Sequence, residues 1–517
     1  MDFVVQHLLT VVLLTPTLGA LLLLAVPRRS LGVLRGIANL FGWLGFAVSL
    51  PLWFRFQPAG PHFQFRESLA WIPSIGARYT LGLDGISLLL VLLTTLLGAV
   101  AITSSWNVTE RAKEYYVFFL LLQTGMLGVF LALDLFLFYA FWEAMLVPMY
   151  FLIAIWGGPR RLYAAIKFFL YTMVGSVLML LGILLVYFQH GAPYTFDLEQ
   201  LLTTQMSAHL QLWAFFAFFL AFAIKVPMVP FHTWLPDAHV EAPTAASVIL
   251  AGVLLKMGAY GFLRFSLPLL PEAARDPRVR GLMVALSLIA IIYGGLVSLM
   301  QPDMKRLVAY SSVSHMGFIT LGIFALNPTG LAGSVIQQIN HGISTGALFL
   351  VVGVLYERRQ TRAIADFGGI ASVMPRFAVV TMIVVLSSLG LPLLNGFVGE
   401  FTVLQGAFQE HWSWAAWAVG GVVLAAAYLL WMYQRVFFGT LEQRANVHLH
   451  DISGREFWMF VPLLAVIFWI GLYPKPLFDV LRQPVAALAQ RVRPTLAPAP
   501  PGTVASGPLA AHPGGAR

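Results

Sequence analysis

The sequence predicts an all-α integral membrane protein of about fourteen transmembrane helices. Of its 517 residues, 59% are hydrophobic and only 10% are charged, where a soluble protein would carry about a quarter charged residues. Mean hydropathy is +0.82, so most of the exterior must face lipid. Apolar runs of about eighteen residues or more, long enough to cross a bilayer, recur along the whole chain, which excludes a large soluble core.

Backbone polar groups in hydrocarbon must be bonded internally, so each long apolar run is read as a helix. The expected spans fall near 5–26, 31–54, 84–104, 115–132, 134–156, 163–188, 211–230 and 243–266. Six more follow near 280–300, 304–324, 329–355, 376–408, 412–438 and 456–476. Met1 and Asp2 offer no positive n-region, so the first run reads as a retained helix rather than a cleaved signal. Residues 57–83 mix Pro, Gly, Arg and aromatics and read as an ordered extramembrane loop of hairpin type. Phe478 to Val492 is amphipathic and is expected at the interface. Beyond Pro494 the Pro/Ala/Gly-rich tail is expected to be disordered. The organisation is therefore residues 1–114 with three helices and the loop, a core over 115–438, a last helix and interfacial segment over 439–493, and a tail over 494–517.

There is no cysteine, which excludes disulfides, iron–sulfur ligation and thiolate zinc sites in this chain. No haem, dinucleotide or phosphate-loop motif is present, and no histidines have metal-ligand spacing. The formal charge of +9 matters through its distribution. Loops after odd-numbered spans gather most basic residues, from Arg28 and Arg29 through Arg160, Arg161, Lys167, Lys305 and Arg306 to Arg444 and Arg455. Loops after even-numbered spans hold Arg55, Arg66, Arg78, Arg264, Arg275, Arg278 and Arg280. The positive-inside bias puts the odd loops inside and both termini outside, with the 264–280 loop working against it.

An ionisable residue inside a span costs at least about 2.5 kcal/mol, so its default reading is functional. Glu143 lies in the fifth span, Lys225 in the seventh, Lys256 in the eighth, His315 in the tenth, His341 in the eleventh and Glu400 in the twelfth. One buried histidine alone is as well explained by a pair that locks two helices. Acid, base and imidazole spread over six spans are better explained as a route for protons. A lysine in apolar surroundings loses its charge readily and a nearby carboxylate restores it, so a Lys–Glu pair that can separate is a proton carrier switched by geometry. Histidine suits the relay between such carriers.

Two spans are interrupted. Lys225-Val226-Pro227-Met228-Val229-Pro230 sets two prolines in the seventh, and Leu389-Gly390-Leu391-Pro392 breaks the twelfth. Freed backbone at membrane depth is tolerated where it lines a hydrated cavity. Paired broken helices mark inverted-repeat transporters. Glu143 to Lys225 is about 82 positions and His315 to Glu400 about 85, so spans 4–8 and 9–13 are expected to be two inverted five-helix repeats, each with one broken helix.

The stretch from Lys225 to Pro243, KVPMVPFHTWLPDAHVEAP, continued by TAASVILAGVLLKMGAYG to Gly261, resembles the signature of the antiporter-like subunits of respiratory complex I. Asp303 to Phe318, DMKRLVAYSSVSHMGF, resembles their tenth helix, and Gly82 to Ser87, GLDGIS, the opening of their third. The likeness runs over nearly the whole chain except the Pro-rich end. Glutamate at position 400 and the lack of a long lateral C-terminal helix resemble the M-type class, since L- and N-type chains usually carry lysine there.

The resemblance implies a non-redox, proton-translocating subunit of an NADH:quinone oxidoreductase in a bacterial inner membrane. Glu143 would pair with Lys225, Lys225 and Lys256 would hold and pass the proton, His315 and His341 would lie on a central hydrophilic axis, and Glu400 would be the distal carrier near the exit. His232 and His239 would sit in the loop after the break, at the entrance or bracing the carriers, or serving structure alone. NADH, FMN, iron–sulfur clusters and quinone are expected on other subunits, with L-type and N-type chains on either side, lipids around, and no nucleic acid. An Mrp-type cation/proton antiporter or a membrane-bound hydrogenase-related complex is the alternative setting. Trp412, Trp414 and Trp417 read as interfacial anchors.

Overall fold

Lipid offers no hydrogen bonds to bare backbone, so the chain crosses it as helix after helix. The computed structural model describes residues 7–494; the disorder expected of the tail concerns residues that, past Pro494, lie outside them. Three helices come first: α1 (Leu8–Ala25), α2 (Leu31–Arg55) and α3 (Gly85–Ser104). Between α2 and α3, β1 (Gln64–Ile72) and β2 (Ala77–Leu83) form an antiparallel hairpin with Ser68 opposite Thr80 and Leu69 opposite Tyr79. Buried Glu67 on β1 accepts a hydrogen bond from Leu9 N at 2.8 Å, fixing the hairpin to the start of α1.

The core is two successive five-crossing blocks. The first runs α4 (Ala112–Leu131), α5 (Leu135–Trp156), α6 (Arg161–His190), the broken pair α7 (Ala208–Lys225) and α8 (Trp234–Glu241), then α9 (Thr244–Leu269). The second runs α10 (Pro277–Leu299), α11 (Met304–Ala325), α12 (Pro328–Arg359), the broken pair α13 (Pro375–Ser388) and α14 (Asn395–Glu410), then α15 (Trp412–Phe437). Each break falls at the fourth crossing of its block, at the prolines that cannot continue a helix. Helix α16 (Gly454–Leu472) and the amphipathic α17 (Lys475–Val492) complete the described chain. Among the described residues thirteen helices are long and apolar enough to cross a membrane, and the α13/α14 pair supplies the fourteenth crossing.

Burial separates the inner helices from the outer ones. The apolar window of α9 is wholly enclosed and those of α3, α11 and α12 nearly so, whereas α2, α6, α15 and α16 leave most of theirs open. Those open faces carry Leu40, Phe54, Leu170, Trp417 and Trp458, which is the surface expected against acyl chains. The polar residues gathered on α9, α11 and α12 are therefore shielded from lipid by the rest of the molecule.

Three readings change. Arg264, counted as a loop charge, lies in the last turns of α9 and is buried. Lys305, also counted as a loop charge, lies in the first turn of α11, 6% exposed. Hydropathy at a helix end cannot separate a loop charge from one turned inward to a partner. With Arg264 removed, the 264–280 loop opposes the orientation less. His232 and His239, assigned to a loop, are buried, and His239 lies on α8, a helix too short for hydropathy to resolve.

Helix α17 straps the two blocks together. Arg491 donates to Pro268 O at 2.5 Å and to Leu202 O, both in the first block. Arg493 holds Glu410 of α14 by two bonds of 2.8 and 2.9 Å, and Arg280 holds the same carboxylate at 2.7 Å. Glu410→Ala leaves two guanidinium groups facing each other, so hydrogen exchange over residues 485–493 should speed up about tenfold, the equivalent of ~1.4 kcal/mol, measured by mass spectrometry on the detergent-solubilised protein.

Candidate functional site

The site follows from what a buried ammonium needs. Lys256, on α9, is fully buried. Just before it, Leu250–Leu254 widen into a π-helical turn, which loosens the ladder and is common at functional sites. Lys256 donates to Ala251 O in that turn at 2.5 Å, and its Nζ lies 2.6 Å from His341 Nδ1 on α12. The lysine thus links a frayed carbonyl on its own helix to the imidazole of the next.

The line continues across α11 to the second broken helix. The rings of His341 and His315 lie 5.7 Å apart. His315 Nδ1 is 2.9 Å from Glu400 Oε1 on α14, and Tyr428 OH lies 3.4 Å from His315 Nε2. Gln337 donates to the same carboxylate oxygen at 3.1 Å. Beside the two histidines, a cavity of about 10 Å³ is bounded by Asn340, Ser344, Ser387 and Ser388, roughly the room of one water among several polar partners. His341 Nε2 is buried without a partner among the described residues.

Four of the expected residues are therefore brought into one chain, in the order Lys256, His341, His315, Glu400. Glu143 and Lys225 form a separate group on α5 and α7. Lys225 is fully buried, with Nζ 3.8 Å from Met145 Sδ and above the rings of Trp142 and Phe168 at 5.3 and 5.5 Å. Glu143 is half-buried, and its Oε1 has no hydrogen-bond partner among the described residues. No ion pair closes between Glu143 and Lys225 among the described residues; the structure holds the two apart. Gly258 lets α9 approach α7 here, because a Cβ at that position would lie 2.8 Å from Phe222 O and 3.0 Å from Lys225 Cβ.

The histidines of α8 and its approach differ from each other. His239 is fully buried, with both ring nitrogens unpartnered among the described residues and its ring stacked on Phe349 at 4.5 Å. His232 lies edge-on to Tyr293 at 5.2 Å with Nδ1 unpartnered. Sequence reasoning missed Lys305 and Glu241. Both are buried and border a cavity of about 120 Å³ with Arg362 and Tyr356, and Lys305 donates to Ala242 O. The signal lay in VEAP and DMKR, where Lys305 was counted as a loop charge and Glu241 was given no role of its own.

Residues 132–425 match the family described as "NADH:quinone oxidoreductase/Mrp antiporter, TM". The chain is 47% identical over 501 residues to NADH-quinone oxidoreductase subunit M of Rhodobacter capsulatus, covering 94% of this chain and 97% of that one. It resembles a chain of respiratory complex I from Thermus thermophilus with a TM-score of 0.85 and 33% identity, over 94% of this chain and 99% of that one. Likeness to a chain of the Mrp complex from Dietzia sp. is lower, with a TM-score of 0.78 and 25% identity over 94% of this chain and 52% of that one.

Gly390, at the second break, has φ +81, and a Cβ there would lie 2.8 Å from Glu400 Oε2. Gly390→Ala imposes a left-handed conformation costing about 1–2 kcal/mol and pushes on the carboxylate. The assembled variant should lose at least half of its proton translocation, read as quenching of a pH-sensitive dye in membrane vesicles.

Proposed function

Because the chain belongs to the NADH:quinone oxidoreductase/Mrp antiporter family of transmembrane proteins, we propose that it works as an M-type proton-translocating subunit of NADH-quinone oxidoreductase. The observation that carries this reading is the buried run from Lys256 through His341 and His315 to Glu400, with contacts of 2.6 and 2.9 Å at its two ends. The chain performs no redox chemistry. It couples quinone reduction elsewhere in the complex to movement of protons.

The mechanism uses pair geometry as its switch. In a medium of low dielectric a charge pair interacts far more strongly than in water. When Glu143 and Lys225 close, the ammonium is stabilised and Lys225 holds a proton. When they part, desolvation dominates and the proton leaves. It passes to Lys256, whose Nζ hands it to His341 Nδ1; His315 relays it to Glu400, which releases it. His239, unpartnered between the cavity at Lys305 and the central line, accepts protons at the inlet, with His232 bracing the break. The signal that opens the first pair arrives from a neighbouring subunit.

The chain is one member of a multi-subunit membrane complex. L-type and N-type antiporter-like chains flank it, NADH, FMN, iron–sulfur clusters and quinone sit on other subunits, and this chain holds no cofactor or metal. The host is a bacterial inner membrane with both termini outside. An Mrp-type setting is less well supported, because the chain spans only 52% of the Mrp chain it resembles.

The carrying test compares NADH-to-quinone turnover with gradient formation in membranes bearing Lys225→Ala, Lys256→Ala or Glu400→Gln, after assembly is confirmed on a native gel. Each should lower both activities at least fivefold, while normal activities in an assembled complex would make the charged line structural. Orientation is read on the cysteine-free chain with single exposed probes. Ala59→Cys should react with an impermeant maleimide from outside, and Ala445→Cys only from inside.

A further inference from the structure

The GLDGIS segment ahead of α3 has no part in the proton line described above, yet it ends in a buried charge cluster. Asp84, 1% exposed, caps α3 by accepting from Ser87 N at 2.9 Å. Its Oδ1 also takes Arg264 Nη2 of α9 at 2.5 Å, while Oδ2 is buried with no partner among the described residues. Arg264 donates further to Tyr260 OH at 3.0 Å and to Ser87 Oγ at 3.1 Å. The Tyr260 and Ser87 hydroxyls lie 3.2 Å apart.

Tyr260 stands four residues after Lys256, one turn further along the same face of α9. Beyond the mid-membrane lysine, toward the hairpin end of the helix, the Tyr260 and Ser87 hydroxyls and the Asp84 carboxyl lie in turn, with Tyr260 OH donating to Phe130 O at 3.1 Å. The series ends at a cavity of about 260 Å³ bordered by His62, Asp84 and Arg264 on one side and by Pro484, Leu488 and Arg491 of α17 on the other. That volume holds several waters.

The cluster has the parts of a gate. The Arg264 guanidinium and the Ser87 N–H both bond the Asp84 carboxylate and favour its charged form. Arg264 also lies over the rings of Phe63 and Tyr260 at 5.1 and 5.2 Å, contacts that help to hold its charge at the edge of the cavity. With Arg264 away, buried Asp84 gains proton affinity; with Arg264 back, it loses it.

We propose that Asp84 is an outward proton-release site of the first five-helix block, fed from Lys256 through Tyr260 and Ser87 and gated by Arg264. The inference rests on the reading of Lys256 as a proton carrier. Lys256 swings its stem from Ala251 O toward Tyr260 and gives its proton to the phenol oxygen. Tyr260 turns its own hydroxyl proton from Phe130 O, which accepts it at 3.1 Å, to Ser87 Oγ, and Ser87 passes its own to Asp84. One proton has moved, both hydroxyls are restored, and no oxidant or reductant is needed. Return of Arg264 drives the proton from Asp84 into the cavity. Lys256 then has two outlets, lateral to Glu400 and outward to Asp84, and the position of Arg264 decides between them.

The test uses the whole complex in inside-out vesicles carrying Asp84→Asn, Tyr260→Phe, Asp84→Glu or Lys256→Ala, with assembly checked on a native gel. Asparagine can keep the cap, and phenylalanine removes a single hydroxyl. Asp84→Asn and Tyr260→Phe should each assemble and lower proton uptake by at least a third, with the Glu400 outlet still open, and Asp84→Glu should restore at least half of the loss. If Asp84→Asn fails to assemble, Tyr260→Phe decides by the same threshold. Normal uptake in both, with Lys256→Ala inactive, overturns the Asp84 outlet and leaves the lysine line standing. Normal uptake in all three removes the lysine reading as well.

Discussion

The constraint on which everything else rests is the cost of an unpaired charge or backbone group away from water. It makes the chain helical, and it sorts the helices, because polar groups survive at depth only on elements that others enclose. Helices α9, α11 and α12 are, with α3, the most fully enclosed of them. Their enclosure lets a lysine, two histidines and a glutamate share one line. The same cost makes each interruption meaningful. Where α7 stops at Lys225 and α13 stops at Ser388, the helix ends lie next to groups that handle charge.

Two kinds of charged contact coexist, and they do different things. Glu410 is held by Arg280 and Arg493 at partly open positions, where attraction is screened and the gain is in fixing α17 rather than in switching. His315–Glu400 and Asp84–Arg264 are enclosed, and there removing one partner leaves the other stranded at high cost. Enclosed pairs are thus all-or-none devices. The parted Glu143 and Lys225 fit that pattern, since a stable structure can hold them apart only because Lys225 finds the faces of Trp142 and Phe168 instead.

Much of this was legible in the sequence, for a physical reason. A charge in the middle of an apolar run stands out, so Glu143, Lys225, Lys256, His315, His341 and Glu400 could all be found, and proline pairs at positions 227 and 230 announce their own break. Charges at helix ends were not legible. Arg264 and Lys305 look the same in sequence whether they face water or turn in toward Asp84 or Ala242 O. An eight-residue helix such as α8 is too short to register as a periodic pattern, which left His239 in a loop. Which carboxylate meets which base depends on side-chain rotamers across different helices, and hydropathy holds no information about that.

The strap formed by α17 sets a limit on how fast the molecule must deform to work. Arg491 grips the first block and Arg493 grips Glu410 of the second, so the blocks are tied at one face and rocking one against the other would tear a charged clasp. Carriers that rock whole domains move on microseconds to milliseconds, whereas a side chain changing rotamer needs only about picoseconds to nanoseconds when it is free to turn. A tied bundle that conducts by turning lysine and arginine stems has no slow domain step of its own. Its pace is then handed to it by the neighbour that triggers the first pair.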